Sequence, residues 1–212
     1  MAVPGENLRL DGNRLWDTIH EIAEIGPGIA GGSNRQTVTD EDAEGRALFQ
    51  KWCEDAGLTM GVDQMGTMFM RREGTIPAAL PVYVGSHLDT QPPGGRDDGI
   101  LGVLAGHEII RTLNDMDIKT RRPIIVTNWT NEEGTRFAPP MMASGVFAGA
   151  VEQDWAYARE DANGLKFGDE LARIGWKGEE IVGDRKMHAF FELHIEQGPI
   201  LEAESKDIGV VT

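Results

Sequence analysis

The chain has 212 residues, 40% of them hydrophobic and 26% charged. This is ordinary globular composition, long enough for a buried core in one domain or two small ones. A formal net charge of -15 repels phosphate backbones and anionic lipid, which argues against nucleic acid and membrane surfaces as partners.

The predicted elements follow in chain order. Asn7 to Ile25 places Leu8, Leu15, Ile19 and Ile22 at helical spacing, and Gly26-Pro27-Gly28 stops the helix. A polar, Gly-rich loop runs to Thr39. Thr39-Asp40-Glu41-Asp42 then reads as a cap with acidic first-turn residues, opening a helix that ends near Gly57. The single cysteine, Cys53, lies on that helix and is expected to be a packed or idle thiol, and one thiol makes no intramolecular disulfide. Leu58 to Arg72 contains two short strands around Gly66. Pro81 to Gly85 is a short apolar run of buried-strand type that delivers Ser86 and His87 at its end.

A loop rich in Gly and Pro follows. A helix is predicted from about Gly99 to Leu113, with Ile100, Leu101, Leu104 and Ile109 toward the core. Ile124-Ile125-Val126 is a second buried strand that runs into Trp129-Thr130-Asn131-Glu132-Glu133. Helical or irregular segments fill Met141 to Gly183, and Met187 to Gln197 reads as a strand carrying His194. Alternation of strands and helices predicts an α/β sheet with helices on both faces. In such sheets ligands gather beyond the carboxyl ends of strands, where His87 and the Glu132-Glu133 pair fall. Met1 to Leu15 lacks a signal-peptide core, and no run reaches the roughly 20 apolar residues of a membrane span, so the expectation is a cytoplasmic protein.

The residues that carry chemistry each have a plain alternative. His20, His107 and His188 are expected to be surface or packed residues. His87 stands two residues before Asp89 at a strand end, where Asp89 can accept from the imidazole nitrogen that faces away from a metal; short His-x-Asp strings also arise by chance. Asp97-Asp98-Gly99 before a helix fits helix capping, and it fits a carboxylate that bridges two ions. Glu132-Glu133 fits a solvated pair. On extended backbone its two side chains diverge, so one can bind metal while the other serves as general base. In Phe190 to Gly198, alternation puts Glu192, His194 and Glu196 on one face and Phe191, Leu193 and Ile195 on the other. No Walker loop, zinc-finger cysteine pattern or nucleophile elbow competes.

Four strings in order carry a resemblance. They are Gly85-Ser86-His87-Leu88-Asp89-Thr90, Gly94-Gly95-Arg96-x-Asp98-Gly99, Asn131-Glu132-Glu133-Gly134 and Glu192-Leu193-His194-Ile195-Glu196-Gln197-Gly198-Pro199. Together they resemble the zinc-dependent amidases of the aminoacylase/carboxypeptidase metallopeptidase superfamily. The nearest branch holds N-carbamoyl-L-amino-acid hydrolases, β-ureidopropionases and allantoate amidohydrolases. The resemblance implies a three-layer α/β di-metal catalytic domain. His87 and His194 would ligate one ion, Asp98 would bridge both, and Glu133 would ligate the second. Glu132 would be the general base, Asp89 would orient His87, and Gln197 would lie close to bound substrate. The implied cofactor is two divalent ions, most simply Zn2+, with Mn2+, Co2+ and Ni2+ also suited to such ligands. The implied reaction is hydrolysis of the C–N bond of an N-carbamoyl amino acid to amino acid, ammonia and carbon dioxide. Allantoate hydrolysis, or a metal-binding chain without activity, are the alternatives.

Two departures stand out. Asp97 occupies a position that is usually aromatic in this family. Family members are also longer, adding a lid and dimerisation domain and a returning segment that brings a further histidine. Residues 1–212 are therefore expected to be the N-terminal part of the catalytic domain, with a homodimer expected for a full-length member.

Overall fold

The computed structural model describes residues 8–211. Asn7, the expected first residue of the opening helix, and Met1 to Glu6 lie outside the described residues. The first helix, α1 (Gly12–Ala23), starts later than the spacing of Leu8 implies, because Asp11 caps it by accepting from the N–H groups of Asn13 and Arg14. Helix α2 (Asp40–Asp55) begins as expected, with Thr39 accepting from the N–H of Asp42 and three acidic residues in its first turn.

Strands β1 (Thr59–Val62) and β2 (Met68–Arg72) form an antiparallel hairpin. Strand β3 (Val82–His87) leads into helix α3 (Ile100–Asp115), and β4 (Ile124–Trp129) returns parallel to β3. Three short helices follow, α4 (Met142–Phe147), α5 (Gln153–Tyr157) and α6 (Phe167–Arg173). Strand β5 (Ala189–Phe191) and helix α7 (Ile200–Ala203) close the described chain. The sheet order is β1-β2-β4-β3-β5, with β2 antiparallel to β4 and β5 parallel to β3.

Period-two alternation divides the sheet's side chains between two cores. Met68, Met70 and Val126 face α1, α2 and α3, meeting Ile19, Ile22, Phe49, Ile100, Val103 and Leu104. On the other face Phe69, Tyr83, Ile125 and Trp129 meet Phe147, at the end of α4, and Phe190. A third cluster joins α4, α5 and α6 around Phe137, Met142 and Phe167. Of the residues expected to face the core from α3, Ile100 and Leu104 are fully buried while Leu101 and Ile109 are half-buried, because the helix axis turns Val103 and Ile110 inward instead.

Cys53 is buried with its Sγ 3.7 Å from Nδ1 of His107. Burial pushes the thiol up, and burial brings His107 down to about 4, so the pair is neutral and packed. Among the described residues no helix is long and apolar enough to cross a membrane.

Candidate metal centre

The parallel strands β3 and β4 end at one edge of the sheet, with His87 opposite Trp129. His87 is the last residue of β3 and is fully buried. Its Nδ1 lies 2.8 Å from the main-chain carbonyl oxygen of Asp89. A ring that donates from Nδ1 presents a bare lone pair at Nε2. That Nε2 is buried without a hydrogen-bond partner. The ring lies against Gly99, which has φ +69°, and a Cβ there would come within 2.3 Å of the imidazole.

The carboxylate of Asp89 does not take the orienting role expected for it. It stands 3.8 Å from Nδ1 of His87, and the main-chain carbonyl holds the ring instead, since two residues suffice for the chain to curl back onto its own histidine. The carboxylate accepts the N–H groups of Glu132 and Glu133, at 3.3 and 3.2 Å. Asp89 thus ties the loop after β3 to the loop after β4.

The Glu132-Glu133 pair does not sit on extended backbone. β4 ends at Trp129, and Asn131 has φ +55°, so successive N–H groups turn toward one carboxylate. The side chains still diverge. Glu132 brings Oε2 to 3.3 Å from Nε2 of His87, outside hydrogen-bond geometry. Glu133 accepts from Nε2 of Gln91 at 2.8 Å through Oε2 and leaves Oε1 buried and unpartnered.

Asp98 does not cap α3. The N-cap is Gly99, and no side chain caps that end. Asp98 instead turns Oδ1 to 3.2 Å from Nε2 of His194 and accepts from Nε2 of Gln197 at 2.7 Å through Oδ2. Gln197, expected beside substrate, is therefore engaged with the proposed bridging carboxylate.

His194 is not on a strand. β5 pairs only Ala189 to Phe191 with Val82 to Val84 and then stops. Beyond it the carbonyl of Leu193 packs where a Cβ on Gly102 of α3 would sit, so the chain leaves the sheet to cross the start of that helix. The apolar face expected from alternation is consequently not buried: Phe191 is 62% exposed and Leu193 46%. Glu192 accepts from Oγ of Ser86 at 2.5 Å, and Glu196 accepts the N–H groups of Ile200 and Leu201 at the start of α7. His194 repeats the pattern of His87, with Nδ1 2.8 Å from the carbonyl oxygen of Ile195 and Nε2 turned inward. The two rings lie 5.8 Å apart.

One ligand atom each from His87, Asp98 and His194 falls within 4.8 Å of the others. This donor set fits a divalent cation. Two imidazoles with free inward nitrogens meet a carboxylate, and Nε2 of His87, Oδ1 of Asp98 and Oε1 of Glu133 are buried atoms with no hydrogen-bond partner. Such orphaned atoms are costly unless an ion or water satisfies them. The electrostatics agree. Burial raises Glu132 and Glu133 above the ordinary carboxylate range; Glu133 and Glu192 add to the rise at Glu132, and Asp98 and Asp89 to that at Glu133. Burial pushes Asp89 up to about 6. Burial opposes protonation of His87, but Asp89, Glu132 and Glu133 outweigh it and hold the ring above its usual value. A crowd of carboxylates around two imidazoles is relieved by positive charge.

Comparison with known proteins follows the same strings. The sequence model of peptidase family M20/M25/M40 matches residues 83–211. The chain belongs to this family. It is 69% identical over 212 residues to an N-carbamoyl-L-amino-acid amidohydrolase of Rhizobium meliloti, covering 100% of this chain and 51% of that protein. It is 38% identical over 207 residues to an N-carbamoyl-L-amino acid amidohydrolase of Geobacillus stearothermophilus, covering 96% and 50%. A solved hydantoinase/carbamoylase-family amidase from Burkholderia multivorans superposes with a TM-score of 0.92 at 54% identity, over 93% of this chain and 48% of that one. The chain spans about half the length of the curated relatives it matches.

Gln91 and Ser86 hold Glu133 and Glu192 and were not singled out from the sequence. Ser86 sits in the string around His87 and Gln91 directly follows it, so their place beside the candidate ligand was the available signal. Arg35 was also missed, and nothing in its polar loop marks it.

Proposed function

We propose that residues 1–212 form the N-terminal part of the catalytic domain of a metal-dependent amidohydrolase that cleaves the C–N bond of N-carbamoyl amino acids. The convergence of His87, Asp98 and His194 on one point, with two of their ligand atoms buried and unpartnered, carries this reading. His87, Asp98 and His194 would hold the first divalent ion, Zn2+ being the simplest choice, and Asp98 and Glu133 would contribute to a second. A cation there supplies Lewis-acid polarisation of a carbonyl oxygen and lowers the pKa of water. Glu132 would move the proton. Its side chain is 27% exposed, at the mouth of the site, and its Oε2 stands 3.3 Å from the ring of His87. Burial, with Glu133 and Glu192 nearby, raises its proton affinity above that of an ordinary carboxylate, the direction that suits a general base. It takes a proton from the attacking water and returns it to the departing nitrogen, releasing amino acid and carbamate, which decomposes to ammonia and carbon dioxide. Asp89 holds the Glu132-Glu133 turn against the metal loop through the two N–H groups.

The 69% identity to an N-carbamoyl-L-amino-acid amidohydrolase over the whole chain supports this substrate class over allantoate. A cytoplasmic location, and a homodimer for the full-length enzyme, belong to the same proposal. The test is a substrate panel of N-carbamoyl-L-amino acids, N-carbamoyl-β-alanine and allantoate, run in the protein carrying residues 1–212 with Zn2+, Mn2+, Co2+ or Ni2+ added. Metal-dependent release of an L-amino acid is expected. Glu132→Gln is expected to keep its metal and lose about 10²- to 10⁴-fold in rate. Full activity in Glu132→Gln, or unchanged metal content in both His87→Ala and His194→Ala, would sink the reading.

A further inference from the structure

Arg35 is the largest fully buried side chain near the site, at 0% exposure. It donates only to main-chain carbonyls: Nε to Leu88 at 3.0 Å, and one terminal nitrogen to Ile22 and Ile25 at 3.0 and 2.9 Å. Its other terminal nitrogen is buried without a partner. The backbone of the same residue grips the neighbouring position. The N–H of Arg35 donates to Oγ1 of Thr90 at 2.8 Å, and its carbonyl accepts the N–H of Thr90 at 2.9 Å. Helix α2 leaves room for the side chain, because a Cβ on Gly45 would fall 2.8 Å from Cδ of Arg35.

We propose that Arg35 is a positioning residue for the metal centre, clamping Leu88 and Thr90 so that Asp89 between them holds His87 on one side and the Glu132-Glu133 turn on the other. The inference rests on the metal-site reading above. Both residues flanking Asp89 are fixed by Arg35, one through the side chain and one through the main chain. Asp89 then fixes the ring of His87 with its carbonyl and the turn after β4 with its carboxylate. Asp42 and Asp89 are the carboxylates whose fields reach the guanidinium. A guanidinium suits this place because its planar fork satisfies carbonyls in two segments at once, which a lysine ammonium on a shorter reach does not.

Supporting the carbonyls of Ile22 and Ile25, in and just beyond the last turn of α1, is a structural duty, and loss of that duty alone lowers stability without altering ligand geometry. The decisive readout is therefore spectroscopic. Co2+ is titrated into the protein, into Arg35→Lys, into Thr90→Val and into His87→Ala, following the visible d–d absorption and the binding isotherm. Thermal unfolding of each metal-free protein checks the fold. His87→Ala is expected to lose the Co2+ spectrum. Arg35→Lys and Thr90→Val are expected to bind Co2+ about 10- to 100-fold more weakly, the range found when supports behind a ligand are removed, with a shifted absorption band. Thr90→Val tests the main-chain half of the clamp, since it removes the acceptor of the Arg35 N–H while keeping side-chain shape; if Arg35→Lys does not fold, Arg35→Gln, which keeps a donor amide within the same pocket, decides the side-chain half. Native affinity and spectrum in the folded variants, with His87→Ala blind to Co2+, overturns the role of Arg35 alone. Native Co2+ binding by His87→Ala overturns the metal-site reading, and the clamp with it.

Discussion

Gly99 shows how much a single side-chain position decides here. Its φ of +69° lies in the region that favours glycine, and its missing Cβ leaves the space in which the ring of His87 rests. Alanine at this position meets two penalties. The left-handed backbone costs about 1–2 kcal/mol, and a Cβ within 2.3 Å of the imidazole forces the ring to move. The neighbour is not a loose chain end, because Nδ1 of His87 is held by the carbonyl of Asp89. Gly99→Ala is therefore expected to lower metal affinity by at least about tenfold, measured by calorimetric titration with Zn2+, beyond what its modest loss of stability explains. Unchanged affinity would mean that the ring relaxes freely and that its packing does not matter.

At the level of elements, the β1–β2 turn depends on one buried carboxyl. Oδ1 of Asp63 accepts the N–H groups of Met65 and Thr67, each at 2.9 Å, and Oδ2 is buried without a partner. Burial pushes Asp63 up to about 7, Glu180 adds to the rise, and the two N–H groups oppose it. The folded state thus keeps a proton that the unfolded chain, titrating near 4, releases earlier. Stability from this group is fully present below about pH 4 and declines as pH rises to about 7. Asp63→Asn keeps an oxygen for both N–H groups and never ionises. Its melting temperature relative to wild type is expected to climb between pH 4 and 7 and level off above, by a free-energy difference on the order of a few kcal/mol. A difference flat with pH would show that the carboxyl is not raised. The elements that position the site were legible where local signals were complete. Thr39 and the acids after it mark α2, and apolar runs bounded by Pro and Gly mark β3 and α3. β5 was overread because alternation describes a strand's faces but does not supply its neighbour. Only Val82 to Val84 are there to pair with it, and the Phe191 and Leu193 side chains stay exposed.

Across the whole molecule, the centre draws on the end of β3, the start of α3 and the segment beyond β5. The candidate ligands His87, Asp98 and His194 were marked in the sequence by the four strings that carry the family resemblance, since spacing alone left a plain alternative for each. Their supports were not, since main-chain carbonyls and a buried Arg35 carry no pattern in the sequence. The segment from 192 to 203 is mostly exposed and has little apolar burial to hold it. Its ties to the body include Glu192 to Ser86, Gln197 to Asp98 and His194 to Asp98. An ion shared by His87, Asp98 and His194 adds a strong link between this segment and the sheet. Binding to the folded state alone stabilises by about 2.7 kcal/mol at one hundred times the dissociation constant, which corresponds to about 5–10 °C in melting temperature for a chain of this size. Saturating Zn2+ is therefore expected to raise the melting temperature by that amount and to slow amide hydrogen exchange selectively from 192 to 203. His194→Ala removes the link but leaves His87 and Asp98 in place, so its exchange in that segment should no longer respond to the metal. If Zn2+ stabilises the protein while exchange from 192 to 203 stays unchanged in the wild type, His194 is not a ligand and the ion sits elsewhere.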